Sequence, residues 1–333
     1  MDSHENARDE GASYGSSVSM RNEAHAALTG RFQSAVAVRR SMQDREIRIG
    51  RLTHDALRGV LEADKNYSAG MAELWSETAE ELRRTQRDRI DASTSDRHRA
   101  SLTDGAVLKL MGGGGTQADM MTRPHFDIFG PPYADRWEHS EGQGTPHAVQ
   151  RTWANAATGA IGFDYRIFPE RGNINCGAAV WVKFMRRAPG FPPGQGPAGS
   201  AWIRTYMPYD YKWHDMSGME AAHNEAGFGI YALSWNLSGG DRTLEVDHWY
   251  LAWDNTTDWN WNRANQSFPG ADSDAFYHGQ YPLPFPIRPA RVYAAAIWCF
   301  GSGSAAGQLT ASNASLTEAT LAANVRFVIV EQQ

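Results

Sequence analysis

The chain has 333 residues, of which 41% are hydrophobic and 21% are charged, as in ordinary globular proteins. Its formal net charge of −6 argues against nucleic-acid binding, which requires clustered positive charge. No apolar run approaches the roughly 18–20 residues that cross a bilayer. The polar, acidic N-terminus, MDSHENARDEGASYGSS, is not typical of a secretory signal. We therefore expect neither nucleic-acid binding nor membrane insertion.

The two cysteines, Cys176 and Cys299, lie far apart in the sequence and match neither a disulfide framework nor a metal-binding spacing. We expect both to be buried free thiols, because cysteine without a partner behaves as a small hydrophobic residue. This cysteine usage fits assembly in a reducing cytoplasm.

The composition changes sharply near the run MGGGG at residues 111–115. All 15 prolines lie at or after Pro124, and 11 of the 12 tryptophans lie at or after Trp137. The change predicts a polar anchoring tip (1–20), a helical stalk (21–105), a glycine-rich hinge (106–115) and a β head (116–333). The run GGGGT lacks the lysine of a phosphate-binding loop, so we interpret it as a flexible joint.

The stalk prediction rests on helical periodicity in residues 21–105. This segment is rich in Ala, Arg, Glu and Leu, and its apolar positions recur every three or four residues, as at Leu28, Phe32 and Val36. Because one helix alone cannot bury a narrow apolar stripe, the pattern predicts a self-associating coiled coil. The alternative is a helical segment that packs on the body of its own chain.

From about residue 160 onward, short segments with period-two alternation are separated by clusters of Gly, Pro, Asn and Asp. No helices alternate with these segments, so the pattern favours an antiparallel β-sandwich, similar to a jelly roll, over a parallel α/β fold. The predicted strands are AIGFDYRIF (160–168), AAVWVKFMRR (178–187), SAWIRTYM (200–207), GFGIYALSWN (227–236), TLEVDHWYLAWD (243–254), RVYAAAIWCF (291–300) and NVRFVIVE (324–331).

The order of tip, stalk, hinge and β head resembles the organisation of bacteriophage head- and tail-fibre proteins. The resemblance implies a fibre-like virion component that forms a homo-oligomer, with a trimer expected. It implies that the N-terminus contacts other virion proteins, that the β head lies at the particle surface, and that assembly takes place in the bacterial cytoplasm.

The sequence contains no catalytic motif of the kinds that identify serine hydrolases, phosphate loops or zinc proteases. Histidines and carboxylates occur near one another at His214, Asp215, His223, Glu225, Asp247 and His248, but with no recognisable ligand spacing. Asp272 and Asp274 lie in a loop that we interpret as an ordinary turn. We expect no metal site, no cofactor and no catalytic residue.

The Trp-rich stretch YLAWDNTTDWNWNRANQ (250–266) is the strongest candidate for binding. Alternation places Trp249 and Trp253 on one face of a strand, in the core. The following turn-like run presents Asp258, Trp259, Asn260, Trp261 and Asn262, a combination that suits sugar stacking and hydrogen bonding. A second aromatic run offers Tyr209, Tyr211 and Trp213 to the same kind of surface. Core closure and subunit contact are the alternatives.

The favoured function is therefore a structural virion protein whose β head contacts host-surface glycans or neighbouring subunits. One alternative is a carbohydrate-active enzyme with a helical extension, using a carboxylate pair from Asp247, Asp254 and Asp258. The other is a purely architectural collar or decoration protein.

Overall fold

The computed structural model describes residues 18–35, 125–143, 149–168, 172–217, 221–257, 263–270, 284–305 and 315–333. The chain divides into two units, and every described residue belongs to the unit made of residues 1–52, 124–309 and 313–333. The predicted boundaries at 105–106 and 115–116 lie outside the described residues and stay predictions. The described helical residues include no segment long and apolar enough to cross a membrane.

The described residues form one helix, α1 (residues 18–35), and fourteen strands. The strands are β1 (His125–Phe129), β2 (Asp135–Gln143), β3 (Val149–Asn155), β4 (Ala160–Ile167), β5 (Gly172–Met185), β6 (Gly199–Tyr206), β7 (Tyr209–Met216), β8 (Ala222–Asn236), β9 (Thr243–Thr257), β10 (Arg263–Gly270), β11 (Phe285–Ile287), β12 (Arg291–Ala305), β13 (Leu316–Asn324) and β14 (Phe327–Gln332). All seven strands predicted from alternation overlap observed strands.

The strands form three antiparallel sheets, which we call A, B and C. Sheet A has the order β1-β14-β6-β11, sheet B the order β2-β5-β12-β8-β9, and sheet C the order β10-β7-β13-β4-β3. Sheets A and C cover opposite ends of one face of sheet B. Phe285 of sheet A lies 6.2 Å from Tyr293 near the start of β12, whereas Phe163 of sheet C packs against Gly301 near its end.

The interior between these sheets is a single apolar core. It includes Ile174, Val180, Phe228, Ile297 and Leu321, all nearly or completely buried. Cys176 and Cys299 are also fully buried here and are free, as predicted. Burial raises the pKa of both thiols, that of Cys299 to about 12.

The opposite face of sheet B carries a second core, which is covered by α1. Leu28 and Phe32 of α1 are buried among the large aromatic side chains of Trp137, Trp181 and Trp298. Close contact is possible because small residues stand beside the indole rings. A Cβ on Gly229 would collide with Trp298, for example. Where α1 covers one face of sheet B and the interior core covers the other, its central strands β5, β12 and β8 are largely apolar.

Polar groups fix the position of α1 on the sheet. Trp235 Nε1 donates a 2.9 Å hydrogen bond to Glu23, and Trp137 Nε1 donates a 3.0 Å bond to Thr29. Such bonds satisfy the indole N–H groups, which would otherwise be buried at a cost in free energy. An ion pair joins Arg31 Nε to Asp247 Oδ2 at 2.6 Å.

A second ionic contact lies near the start of α1. Arg21 Nε and His25 Nε2 lie 2.6 and 3.0 Å from Asp135 Oδ2. Burial of Asp135 by itself raises its pKa. Hydrogen bonds from His25, the Arg136 backbone and Arg21 outweigh burial, so the pKa lies below its ordinary value.

The predicted fold class, a segregated α+β protein with a long coiled-coil stalk, is wrong for the described chain. That chain is mostly β-sheet, and its one helix buries its apolar stripe against sheet B instead of against a second helix. The coiled-coil prediction failed because the periodicity indicates that a stripe is buried without identifying its partner. Residues 36–105 lie outside the described residues.

The predicted placement of Trp249 and Trp253 on one face is also wrong. The register between β8 and β9 shifts at Ala226 and Gly227, so that Ala252 is an extra residue in β9. This bulge reverses the alternation. Trp253 consequently lies in the interior core, while Trp249 packs on the side of α1.

Candidate functional site

The outer face of sheet A carries a partly exposed apolar surface. Phe126 and Ile128 on the edge strand β1 are 42% and 41% exposed. Register places Ile128 beside Ile329 of β14, and Phe126 beside Glu331, whose other neighbour is Trp202 of β6. We call this the sheet A surface, and define it by Phe126, Ile128, Trp202, Tyr206, Phe327 and Ile329.

Local contacts organise the sheet A surface. The rings of Tyr206 and Phe327 stack at 5.1 Å, and Arg204 donates a 2.9 Å hydrogen bond to Glu331 between the apolar side chains. Inward-facing residues on the same strands, Ile203, Val328 and Val330, fill the interior core. The sheet is therefore apolar on both faces, although the apolar side chains on its outer face are partly open to solvent.

The outer face of sheet C has the opposite character. Across four strands, register aligns Lys212, Thr320, Asp164 and Arg151, and Thr320 donates a 3.0 Å hydrogen bond to Asp164. Charged and polar residues are the usual composition of a solvated sheet face. The contrast makes the sheet A surface distinctive, since contiguous exposed apolar residues mark contact sites.

A polar network occupies the interior where sheets B and C meet. Asn224 is fully buried, and its Oδ1 accepts 2.8 Å hydrogen bonds from both Tyr165 and Trp253. Its Nδ2 donates to Thr317 Oγ1 at 3.2 Å and to the Glu318 carbonyl at 2.9 Å. Because all four hydrogen-bonding positions of the amide are used, Asn224 joins β4, β8, β9 and β13 in one arrangement.

Asp215 is the buried carboxyl group of this network. Asn255 donates a 2.7 Å hydrogen bond to its Oδ2. Desolvation by burial raises the pKa of Asp215 to about 7, although the nearby polar groups of Thr317, Asn255 and Asn224 act in the opposite direction. Its neighbour His214 is also buried, which lowers the pKa of that imidazole, while Glu318 at 4.0 Å partly opposes the shift.

On the other face of sheet B, His223, Glu225 and Asp254 lie together. Their ligand atoms are all within 4.8 Å of one another. Glu225 is directly opposite Asp254 in the β8–β9 pairing, and His223 Nδ1 lies 3.8 Å from Asp254 Oδ1. The sequence alone points to His223 and Glu225 as neighbouring polar residues. It does not group Asp254 with them, because only the strand pairing brings it close.

The structure separates the other predicted site residues. Tyr209, Tyr211 and Trp213 alternate along β7 and face the interior core, with 6%, 9% and 7% exposure. The Tyr211 ring lies 4.7 Å from that of Trp253. The predicted binding surface on this run is therefore not formed by these three rings. The alternation in YDYKWHDM is the signal of a half-buried strand that could have identified them as core residues.

The turn-like run Asp258, Trp259, Asn260, Trp261 and Asn262 lies outside the described residues, as do Asp272 and Asp274, so those predictions stay predictions. Asp247 forms an ion pair with Arg31 of α1. On β8, Asp247 is opposite Tyr231 and Asp254 is opposite Glu225, and these two positions are six residues apart. Six residues of strand span about 20 Å. Asp247 and Asp254 are therefore too far apart to act as a glycosidase pair, which needs about 5–10 Å.

No protein family model matches the sequence, and no curated protein matches it. Solved structures of two strains of infectious bursal disease virus, Gx and Gt, align with 66% of this chain at 10% and 9% identity, with TM-scores of 0.13 and 0.11. The alignments cover 45% and 44% of those chains, less than half of their length.

Proposed function

We propose that the protein is a structural component of a virus particle, and that its β domain packs against neighbouring copies through the sheet A surface. The observation that carries the proposal is the exposed apolar surface built around Phe126 and Ile128. Closed particles and their appendages are built from repeated contacts between identical subunits. A surface of this composition suits such a contact, because aromatic residues are enriched at the centres of interfaces.

The position of the surface adds support. Among the described strands β1 is an edge strand of sheet A, so one side of its backbone has no neighbour in the part of that sheet that the structure describes. Soluble proteins usually protect such an edge with charged or proline residues. Here the outward side chains are Phe126 and Ile128 instead. An edge strand of this kind can pair with, or pack against, a second copy.

A glycan contact through Trp259 and Trp261 is the second part of the proposal. Its support is the sequence: indole rings beside amide and carboxylate groups suit sugars. This run follows directly on β9, which ends at Thr257. The carbohydrate-active enzyme is the alternative proposal, with Asp254 and Asp258 as its candidate carboxylates. Turnover of a polysaccharide that is lost on changing either one would favour it.

The test of the subunit contact is the solution mass of the full chain, measured by light scattering on a sizing column. We expect an oligomer, with a trimer of about 111 kDa as three times the 36.9 kDa chain. Phe126→Asp combined with Ile128→Asp should shift the mass toward 36.9 kDa, because charge at an edge strand prevents association. Leu237→Asp, at a 54% exposed position after β8, is the matched control and should leave the mass unchanged.

A full-length chain that stays monomeric at high concentration would refute the proposal, as would an oligomer that the double variant does not affect. The melting temperature of each variant checks that the substitutions leave the β domain folded.

A further inference from the structure

One end of sheet B is polar on the face where α1 packs, although the rest of that face is apolar. Strand pairing lines up one polar residue from each of its five strands, in the order Glu141, Asn175, Ser302, Glu225 and Asp254. The next row toward the end is also polar, with Asn173, Ser304, His223 and Thr256. A row under α1 reads instead Trp137, Ala179, Trp298, Gly229 and Trp249.

Three side chains of these polar rows have the geometry of a cation site. The ligand atoms of His223, Glu225 and Asp254 all lie within 4.8 Å of one another. Glu225 is 5% exposed, while the side chain of Asp254 is 52% exposed on the edge strand β9. The group is therefore buried on one side and reachable from solvent on the other. Thr256 Oγ1 lies 2.9 Å from His223 Nδ1, the nitrogen that faces Asp254, and a metal bound to this nitrogen would take the place of that hydrogen bond.

The chemistry of the three donors suits a divalent first-row transition metal. Zn²⁺ accepts imidazole nitrogen at about 2.0–2.1 Å and carboxylate oxygen at about 2.0–2.2 Å. Two neighbouring carboxylates also repel each other, and a bound cation converts that repulsion into attraction. Three protein ligands leave a fourth position of the zinc for water.

A second, independent observation comes from Ser302, which is the cross-strand neighbour of Glu225 on this face. Ser302 is 1% exposed, and no group in the described part of the chain, from residue 18 to residue 333 with its gaps, forms a hydrogen bond with its Oγ. Buried hydroxyl groups almost always have a partner. A metal-bound water beside Glu225 would supply one.

We propose that His223, Glu225 and Asp254 bind a divalent transition-metal cation of the Zn²⁺ type, with Ser302 contacting a water on the metal. The site is separate from the sheet A surface and does not depend on the proposed function. It joins β8 to β9 three residues before the end of β9. The metal would thus stabilise the strand from which residues 258–262 continue.

The test is to remove bound metal from the full chain with a chelator and then to measure zinc binding by calorimetric titration with ZnCl₂. We expect saturable binding of one Zn²⁺ per chain and a rise in melting temperature of about 5–10 °C when zinc is at 100 times its Kd. Asp254→Asn should weaken binding at least about tenfold. Asp210→Asn, an exposed aspartate on β7, is the matched control and should not change the Kd.

Ser302→Ala separates a metal contact from a structural role. Removing a hydroxyl that has no partner among the described residues should leave the melting temperature of the metal-free protein unchanged or higher, while zinc binding becomes weaker. CaCl₂ should raise the melting temperature little, because Ca²⁺ requires six to eight oxygen ligands. Equal zinc affinity in the native chain and Asp254→Asn, or no saturable binding by the native chain, would overturn the proposal.

Discussion

Shortening Leu28 to alanine should lower the free energy of unfolding of the β domain by about 3 kcal/mol. The side chain is completely buried between α1 and sheet B. The substitution removes three carbon atoms, worth about 2.4 kcal/mol at roughly 0.8 kcal/mol for each buried CH₂ group. The cavity left under the helix adds to this loss, and measured costs of such changes are about 2–5 kcal/mol.

The assay is urea-induced unfolding followed by tryptophan fluorescence, since Trp137, Trp181, Trp235 and Trp298 surround the contact. Gly30→Ala is the control in the same helix. A Cβ at Gly30 meets nothing within 4 Å, so alanine should stabilise α1 by about 0.5–1 kcal/mol through helix propensity. If Leu28→Ala changes the unfolding free energy by less than about 0.5 kcal/mol, α1 does not pack on sheet B. Because an oligomer makes the midpoint depend on protein concentration, both variants are compared with the native chain at one concentration.

Three further predictions concern buried residues. Burial raises the pKa of Asp215 from 3.8 to about 7, so the folded protein should lose about 4 kcal/mol of stability as the pH rises from about 4 to 7. The Asp215→Asn variant should not show this loss. Melting temperatures of the two proteins across that pH range check the prediction. Asn224→Leu should cost at least about 3 kcal/mol in urea unfolding, because it leaves several buried hydrogen-bonding groups without their partner; a cost below about 1 kcal/mol would contradict the network. Gly229→Ala should lower the free energy of unfolding by about 1–3 kcal/mol, because the new Cβ would collide with the Trp298 indole and lie 2.8 Å from the His248 carbonyl oxygen. An unchanged melting temperature would show that the aromatic rings repack freely.

The strands of the β domain were predictable from the sequence because alternation and turn residues are local signals. The segments at 160–168, 243–254 and 291–300 each agree within a few residues with the start of β4, β9 and β12. The same alternation is present in β7, where Tyr209, Tyr211 and Trp213 face the core. There it is obscured by the concentration of aromatic residues, which also suits an exposed binding surface.

Other features depend on pairings that no local pattern contains. The stripe of Leu28 and Phe32 predicted a buried helix face, but its partner lies more than 100 residues away in sheet B. The bulge opposite Gly227 reverses the faces of β9 without any distinctive residue in β9 itself. The grouping of Asp254 with His223 and Glu225 likewise follows from the register between two long strands.

The contact between α1 and sheet B also affects the order of events during synthesis. The helix is made first, whereas β12, the central strand beneath it, is complete only at Ala305, about 270 residues later. At roughly 5–20 residues per second, the ribosome needs about 14–54 seconds to make that length of chain. Until β12 is made, the apolar stripe of α1 has no complete sheet B to cover it. A nascent chain of this design therefore presents a hydrophobic helix to chaperones well before its own β domain can accept it.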